Sequence, residues 1–154
     1  MIEYCIASAE EEFATAAGLF REYAAGLEID LSFQHFNEEL QQVREMYNPA
    51  DGGIILAKNE NEFIACVALR RFAPNTAELK RMYVKPSFRQ LGIGNVLLEK
   101  AIEMARSLAY QSICLDTLNS MLPAMQLYEK AGFRKVPAYY HNPNATAVYY
   151  ELKL

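Results

Sequence analysis

The stretch from Ala77 to Asp116 constrains the fold more than any other part of the chain. Ala77 to Val84 reads as a strand, and Pro86 stops it because proline cannot donate to a ladder. A turn follows from Ser87 through Gly94. Val96, Leu97, Ala101, Met104, Ala105 and Leu108 then fall on one face of a helix. Ser112-Ile113-Cys114-Leu115-Asp116 is the next strand. A strand that returns through a helix to a second strand of the same sheet makes a right-handed parallel crossover.

The rest of the sheet is expected to be antiparallel. Ile54–Ala57 and Phe63–Leu69 are joined by the polar run Asn59-Glu60-Asn61-Glu62, which reads as a hairpin. Ala73-Pro74-Asn75 turns the chain into the strand from Ala77, so these three strands form a meander. Upstream, Ile2, Tyr4 and Ile6 alternate as a short strand. Ser8 with Glu11 offers a capping box to a helix whose face carries Phe13, Ala16, Ala17, Phe20 and Tyr23. A second helix is expected from about Ser32 to Tyr47, with Phe33, Phe36, Leu40, Val43 and Tyr47 on its stripe, and Asn48 to Gly53 ends it. Downstream, a helix from Met121 to Ala131 is stopped by Gly132. Strands Phe133–Val136 and Ala147–Leu152 flank the loop Pro137 to Asn144. The expected architecture is a single α/β domain over residues 1–154, with a mostly antiparallel sheet, flanking helices and one parallel strand pair. Strict alternation would put Glu78, Lys80 and Met82 on one face of their strand, and Leu79, Arg81 and Tyr83 on the other.

Size and charge narrow the function. A chain of 154 residues can bury a substantial core without disulfides or metals. The net charge is −4 and no basic stripe stands out, which argues against nucleic acid as a partner. Positive charge is instead local, between Lys80 and Arg89. Cys5, Cys66 and Cys114 are odd in number, lie in apolar segments and lack metal-ligand spacing, so they read as small buried hydrophobes in a reducing compartment. The start of the chain has no signal-peptide pattern, and no apolar run approaches the ~20 residues needed to span a bilayer. A cytoplasmic protein without a membrane partner is expected.

The turn Arg89-Gln90-Leu91-Gly92-Ile93-Gly94 carries the chemistry. A helix start presents unpaired N–H groups and partial positive charge, and an anion there is stabilised. Gly92 and Gly94 leave room for phosphate oxygens, and Arg89 adds a permanent forked charge. Asn95-Val96 after Gly94 excludes the Gly-Lys-Ser/Thr ending of a P-loop, and Leu97 stands where a dinucleotide fingerprint needs its third glycine. The loop therefore reads as a pyrophosphate cradle of another kind, or as a plain glycine-rich turn.

The surroundings favour the cradle. The run Glu78-Leu79-Lys80-Arg81-Met82-Tyr83-Val84-Lys85-Pro86, the Arg89–Gly94 turn, and downstream Leu115-Asp116-Thr117, Asn119 and Leu127-Tyr128-Glu129-Lys130-Ala131-Gly132-Phe133 together resemble the GNAT superfamily of N-acetyltransferases. The close match runs from about Glu78 to Arg134. The resemblance implies acetyl-CoA as co-substrate, no metal, and a strand pair that splays apart to admit the pantetheine arm. It implies that backbone groups of Met82, Tyr83 and Val84 meet that arm, and that one N–H there polarises the thioester carbonyl. The diphosphate would rest on the amides from Gln90 to Asn95, with Arg89 beside them. Leu91 and Ile93 would serve through their backbone, their side chains packing.

Three further residues follow from the resemblance. Tyr128 matches the tyrosine that protonates the departing thiolate of CoA; the alternative is a packed helix-face residue. Asn119 matches a position that bonds the pantetheine or simply caps the last helix. Glu78 is the candidate general base, acting through water; the alternative is an exposed carboxylate paired with Lys80 or Arg81. Tyr139, Tyr140 and His141, with Phe33, His35 and Phe36 opposite, are candidates for lining the acceptor site. The expected reaction is direct transfer from acetyl-CoA to the primary amine of a small molecule. A protein N-terminal or lysine acetyltransferase, or an acyl-CoA-binding sensor without catalysis, are the competing readings. A homodimer is an expectation by analogy alone.

Overall fold

The computed structural model describes residues 1–27 and 29–154, and of Phe33 the backbone only. Its strands form one seven-stranded sheet in the order β1-β2-β3-β4-β5-β7-β6. The strands are β1 (Ile2–Ile6), β2 (Gly53–Asn59), β3 (Glu62–Ala73), β4 (Thr76–Val84), β5 (Ser112–Leu118), β6 (Arg134–Val136) and β7 (Ala147–Lys153). The helices are α1 (Glu10–Ala25), α2 (Phe36–Gln41), α3 (Val43–Met46), α4 (Ile93–Ser107) and α5 (Leu122–Lys130). The meander β2-β3-β4 is antiparallel, and β4 with β5 is the parallel pair. The expected α/β class, antiparallel meander and single parallel strand pair are those observed.

Two apolar layers hold the sheet. On one face, Leu97, Leu98, Ala101, Ile102 and Ala105 of α4 pack with Met125 and Tyr128 of α5 against Ile55, Val67, Leu79 and Leu115. On the other, Phe13, Ala16, Ala17 and Phe20 of α1 pack with Val43 and Tyr47 against Ile54, Leu56, Cys66 and Ala68. Each large side chain so buried contributes roughly 1.5–3 kcal/mol. Cys66 and Cys114 are buried free thiols, as expected of small hydrophobes, and burial pushes the Cys114 thiol up to about 12.

Three local expectations are corrected. The capping box sits one residue late: the Glu12 carboxylate, not that of Glu11, accepts from the Ser8 and Ala9 amides, each at 2.9 Å. The helix expected from Ser32 to Tyr47 is broken into a 3₁₀ turn (Ser32–Gln34), α2 and α3. The breaks fall at His35, which is left-handed at φ 57°, and at Gln42. Phe36, Leu40, Val43 and Tyr47 still face the core, so the stripe survives the breaks. The expected place of the Phe33 side chain lies outside the described residues.

The third correction shapes the site. Cys66 opposes Tyr83 while Ala68 opposes Lys80, so Val67 faces both Arg81 and Met82. This is a β-bulge, with Arg81 left-handed at φ 57°. The extra residue reverses the alternation beyond it. Arg81 joins Glu78, Lys80 and Tyr83 on the α1–α2 side, and Met82 joins Leu79 and Val84 on the α4 side. A bulge also bends its strand. β4 pairs with β5 only through Thr76–Ser112, Ala77–Ile113 and Glu78–Cys114. Beyond Glu78 the two strands part, although both continue.

Candidate active site

The parted strands open a cleft. Leu79, Lys80, Arg81 and Met82 line it from β4, and Asp116, Thr117 and Leu118 from β5. Tyr128 of α5 closes one side. Tyr23, Leu27, Leu31 and Gln34 close another, with Asn142 from the β6–β7 loop. Backbone groups of Met82, Tyr83 and Val84 on the β5-facing edge have no strand partner beyond Glu78.

Beside the cleft lies the turn into α4. Gln90 at φ 66° and Gly92 at φ 81° are both left-handed. Alternating handedness of this kind turns successive N–H groups toward one side. Among the described residues, the amides from Gln90 to Asn95 have no hydrogen-bond acceptor, and the first amide inside α4 to find one is that of Val96, on the Gly92 carbonyl at 3.2 Å. The α4 macrodipole adds partial positive charge to this row. Gly92 is required for its backbone, since a Cβ there would meet open space. Met82 Cε would lie 3.4 Å from a Cβ built on Gly94, so Met82 links the helix start to the cleft. Replacing Gly92 with valine should cost about 1–2 kcal/mol from the left-handed backbone alone. It should weaken CoA binding by tenfold or more, as read by isothermal titration.

Arg89 does not extend freely. Its Nε donates to the Val84 carbonyl at 2.8 Å and its guanidinium lies 5.8 Å from the centre of the Tyr83 ring. It therefore braces the end of β4 and leaves its terminal nitrogens for an anion. Ile93 is buried as expected, but Leu91 is 66% exposed and packs nothing. Asn119 is exposed and is not the cap of α5, a position held by Met121; the Asn119 amide donates to Thr146 at 2.9 Å.

Tyr128 is buried between Phe133 and Tyr150, with ring centres 5.8 and 6.0 Å away. Its hydroxyl has only the Met82 sulfur, at 3.9 Å, as partner among the described residues. Burial raises its phenol well above the usual value, so it stays protonated.

Glu78 lies elsewhere. It is buried rather than exposed, and it does not line the cleft. Oε1 accepts from Arg70 Nε and NH2, each at 2.9 Å, and Oε2 accepts from the Tyr139 hydroxyl at 2.7 Å. Its ion-pair partner is Arg70, with Lys80 farther off at 3.9 Å; Arg81 belongs to Glu39. Among the described residues, the carboxylate in the cleft is Asp116, whose Oδ2 accepts from the Tyr140 hydroxyl at 2.7 Å. Desolvation, reinforced by the Glu78 charge, raises the Asp116 carboxyl above its ordinary value despite that bond. Tyr140 thus reaches the site through Asp116, Tyr139 is held at Glu78 outside the cleft lining, and His35 and His141 are exposed. Sequence reasoning passed over Asp116, Gln34 and Asn142. The only signal was Asp116 itself, an acid in an otherwise apolar strand.

The comparisons fit this geometry. The model of the acetyltransferase (GNAT) family matches residues 16–133. An uncharacterized N-acetyltransferase of Schizosaccharomyces pombe is 38% identical over 88% of this chain and 85% of its own. The chain belongs to the GNAT acetyltransferase family. A second relative, an uncharacterized N-acetyltransferase of Dictyostelium discoideum, is 27% identical over 97% of this chain and 98% of its own. Among solved structures, a GNAT-family acetyltransferase of Staphylococcus aureus superposes with a TM-score of 0.82 at 21% identity, covering 99% of both chains. An acetyltransferase of Streptococcus agalactiae gives 0.81 at 22%, covering 99% and 98%. These two likenesses speak for the fold. As a GNAT member the chain is an acetyl-CoA-dependent N-acetyltransferase, with acetyl-CoA as co-substrate.

Proposed function

We propose that the protein acetylates the primary amine of a small molecule by direct attack within a ternary complex. The observation that carries this reading is one continuous surface, from the unpaired amides at Gln90–Asn95 past Met82 to a cleft holding Tyr128 and Asp116. The amides hold the pyrophosphate of the co-substrate, and the free β4 edge at Met82–Val84 takes its pantetheine arm. A backbone N–H on that edge polarises the thioester carbonyl. Held this way, donor and acceptor react as if within one molecule.

An ammonium has no lone pair, so the acceptor must first lose a proton. Among the described residues, Asp116 is the cleft carboxylate with an oxygen to spare, and it takes that proton directly or through water. The neutral amine attacks the thioester carbon, the carbon–sulfur bond breaks as Tyr128 protonates the sulfur, and the proton that the new amide nitrogen sheds returns through water to the tyrosine oxygen. Glu78, bound on both oxygens by Arg70 and Tyr139, acts as a fixed negative charge behind Asp116.

The test is CoA thiol release from acetyl-CoA over a panel of amines, for the unmodified protein, Asp116→Asn and Glu78→Gln. Asp116→Asn is expected to lower kcat/KM by about 10²-fold or more. It should also remove an acidic limb of the pH profile that lies above the ordinary aspartate value of 3.8. The sign follows from the raised carboxyl: the base works only when ionised, so activity falls as pH falls through its pKa. A larger loss in Glu78→Gln than in Asp116→Asn would return the role to Glu78. Acetyl-CoA binding without release on any amine would favour a sensor.

A further inference from the structure

The charges around the cleft do not cancel evenly. Arg81 is spent on Glu39 in a bidentate pair at 2.8 and 2.9 Å. Arg70 is spent on Glu78. Among the described residues, two charges facing the cleft remain, Lys80 and Asp116. They form no ion pair with each other among the described residues.

Lys80 is unusual for a lysine. Its side chain is 8% exposed, and its nearest anion among the described residues is Glu78 at 3.9 Å, beyond hydrogen-bond reach and already held by Arg70. An ammonium carries three donors, and burying one without acceptors is costly. Burial and the adjacent Arg81 charge pull its pKa below the usual value. An anionic group entering the cleft would relieve both.

The opposite requirement stands at Gln34. The Tyr140 hydroxyl gives its proton to Asp116, so its oxygen can only accept, and it accepts from Gln34 Nε2 at 2.9 Å and Asn142 Nδ2 at 3.2 Å. That direction of donation turns the Gln34 amide so that Oε1 is left over. Oε1 is buried and has no partner among the described residues. An acceptor so placed lacks an N–H donor, and leaving it unmet costs about as much as a lost hydrogen bond. With the free oxygen of Asp116, it makes a pair of acceptors suited to an amino group.

We propose that the acceptor is a small molecule bearing both a primary amine and a carboxylate, its anionic end held by Lys80 and its amino end by Asp116 and the Gln34 carbonyl oxygen. This rests on the acetyl-transfer reading above and adds the acceptor's chemical class. A polyamine suits the cleft poorly, because its second cation would meet Lys80 and Arg81.

The test compares matched amines: free amino acids, the same amino acids as carboxamides, and polyamines, each with acetyl-CoA and thiol release as the readout. Carboxylates should be preferred over their carboxamides by at least about tenfold in kcat/KM, with polyamines slower still. In Lys80→Met that preference should shrink toward unity, mainly through KM. CoA binding by calorimetry should persist in the variant. Equal rates on carboxylates and carboxamides, or a preference for polyamines, would overturn the inference while leaving acetyl transfer intact. An undiminished preference in Lys80→Met would also overturn it. Release on no amine at all would remove the acetyl-transfer reading and this inference together.

Discussion

Replacing Tyr128 with phenylalanine should lower kcat by about 10²–10⁴-fold, the usual contribution of a positioned general acid. The expected loss is in chemistry rather than in folding, because the ring does the packing. Its contacts with Phe133 and Tyr150 are retained by phenylalanine, and the hydroxyl gives up only a long approach to the Met82 sulfur. The melting temperature should therefore stay within a few degrees and CoA affinity within a few-fold. The proton transfer is demanding. A phenol near ~10 is already a weaker acid than a thiol near ~8.5, and burial raises Tyr128 further. Transfer must then be concerted with departure: the proton moves as the carbon–sulfur bond breaks, so that collapse of the intermediate drives it and no free thiolate forms. A sharper form of the test follows. An acetyl thioester whose thiol is more acidic needs less protonation on departure, so Tyr128→Phe should lose less activity with it than with acetyl-CoA. A kcat loss below about fivefold, or a uniform loss with every thioester, would assign Tyr128 to packing alone.

The backbone of the proposed cofactor half was legible in the sequence, and the surroundings of the proposed acceptor half were not. The reason lies in how each half is built. The turn Arg89–Gly94 presents backbone amides at a helix start, and local sequence sets that backbone: Pro86 ends the strand, Gly92 permits φ 81°, and apolar spacing begins α4. The place of Tyr128 on α5 was legible for a similar reason, since Gly132 marks the end of its helix. The acceptor half depends on contacts remote in sequence. Asp116 matters because Tyr140 reaches it from a loop, and Gln34 because its amide is turned by that same tyrosine. Glu78 shows the converse: it is buried, and Arg70 and Tyr139 fill its coordination, a fact that strand position alone could not reveal. The bulge at Arg81 was hidden as well. Nothing in Lys80-Arg81-Met82 marks an arginine for a left-handed backbone, a conformation that usually goes to glycine or asparagine.

What holds Arg81 in that conformation is its pair with Glu39, and breaking the pair should be the most damaging single change to the fold. The left-handed backbone costs about 1–3 kcal/mol and persists only where the surroundings enforce it. Here the guanidinium is gripped by both oxygens of a carboxylate that is 2% exposed, while Phe36 and Tyr23 lie 5.1 and 5.9 Å from it and Tyr47 donates to Glu39 at 2.9 Å. Glu39→Ala would leave a buried arginine without its anion, at a cost of about 3–5 kcal/mol. At about 2–4 °C per kcal/mol for a chain of this size, the melting temperature should fall by about 6–20 °C. The double variant Glu39→Leu with Arg81→Met should recover much of that stability, because an apolar pair of similar volume carries no desolvation cost. It should not recover activity, since nothing then holds the bulge that parts β4 from β5. The pH dependence separates the charge from the packing. Burial alone would raise the Glu39 carboxyl, but the hydrogen bonds and charge of Arg81 outweigh it and hold the group below its ordinary value of 4.5. A lowered carboxyl stabilises the fold above the unfolded-state pKa, and that stability is lost as pH falls through the folded one. Urea unfolding at pH 7 and at pH 3 should therefore show a larger acid loss in the unmodified protein than in the double variant. Equal losses in the two would mean that packing around Arg81, rather than its ion pair, keeps the strands apart.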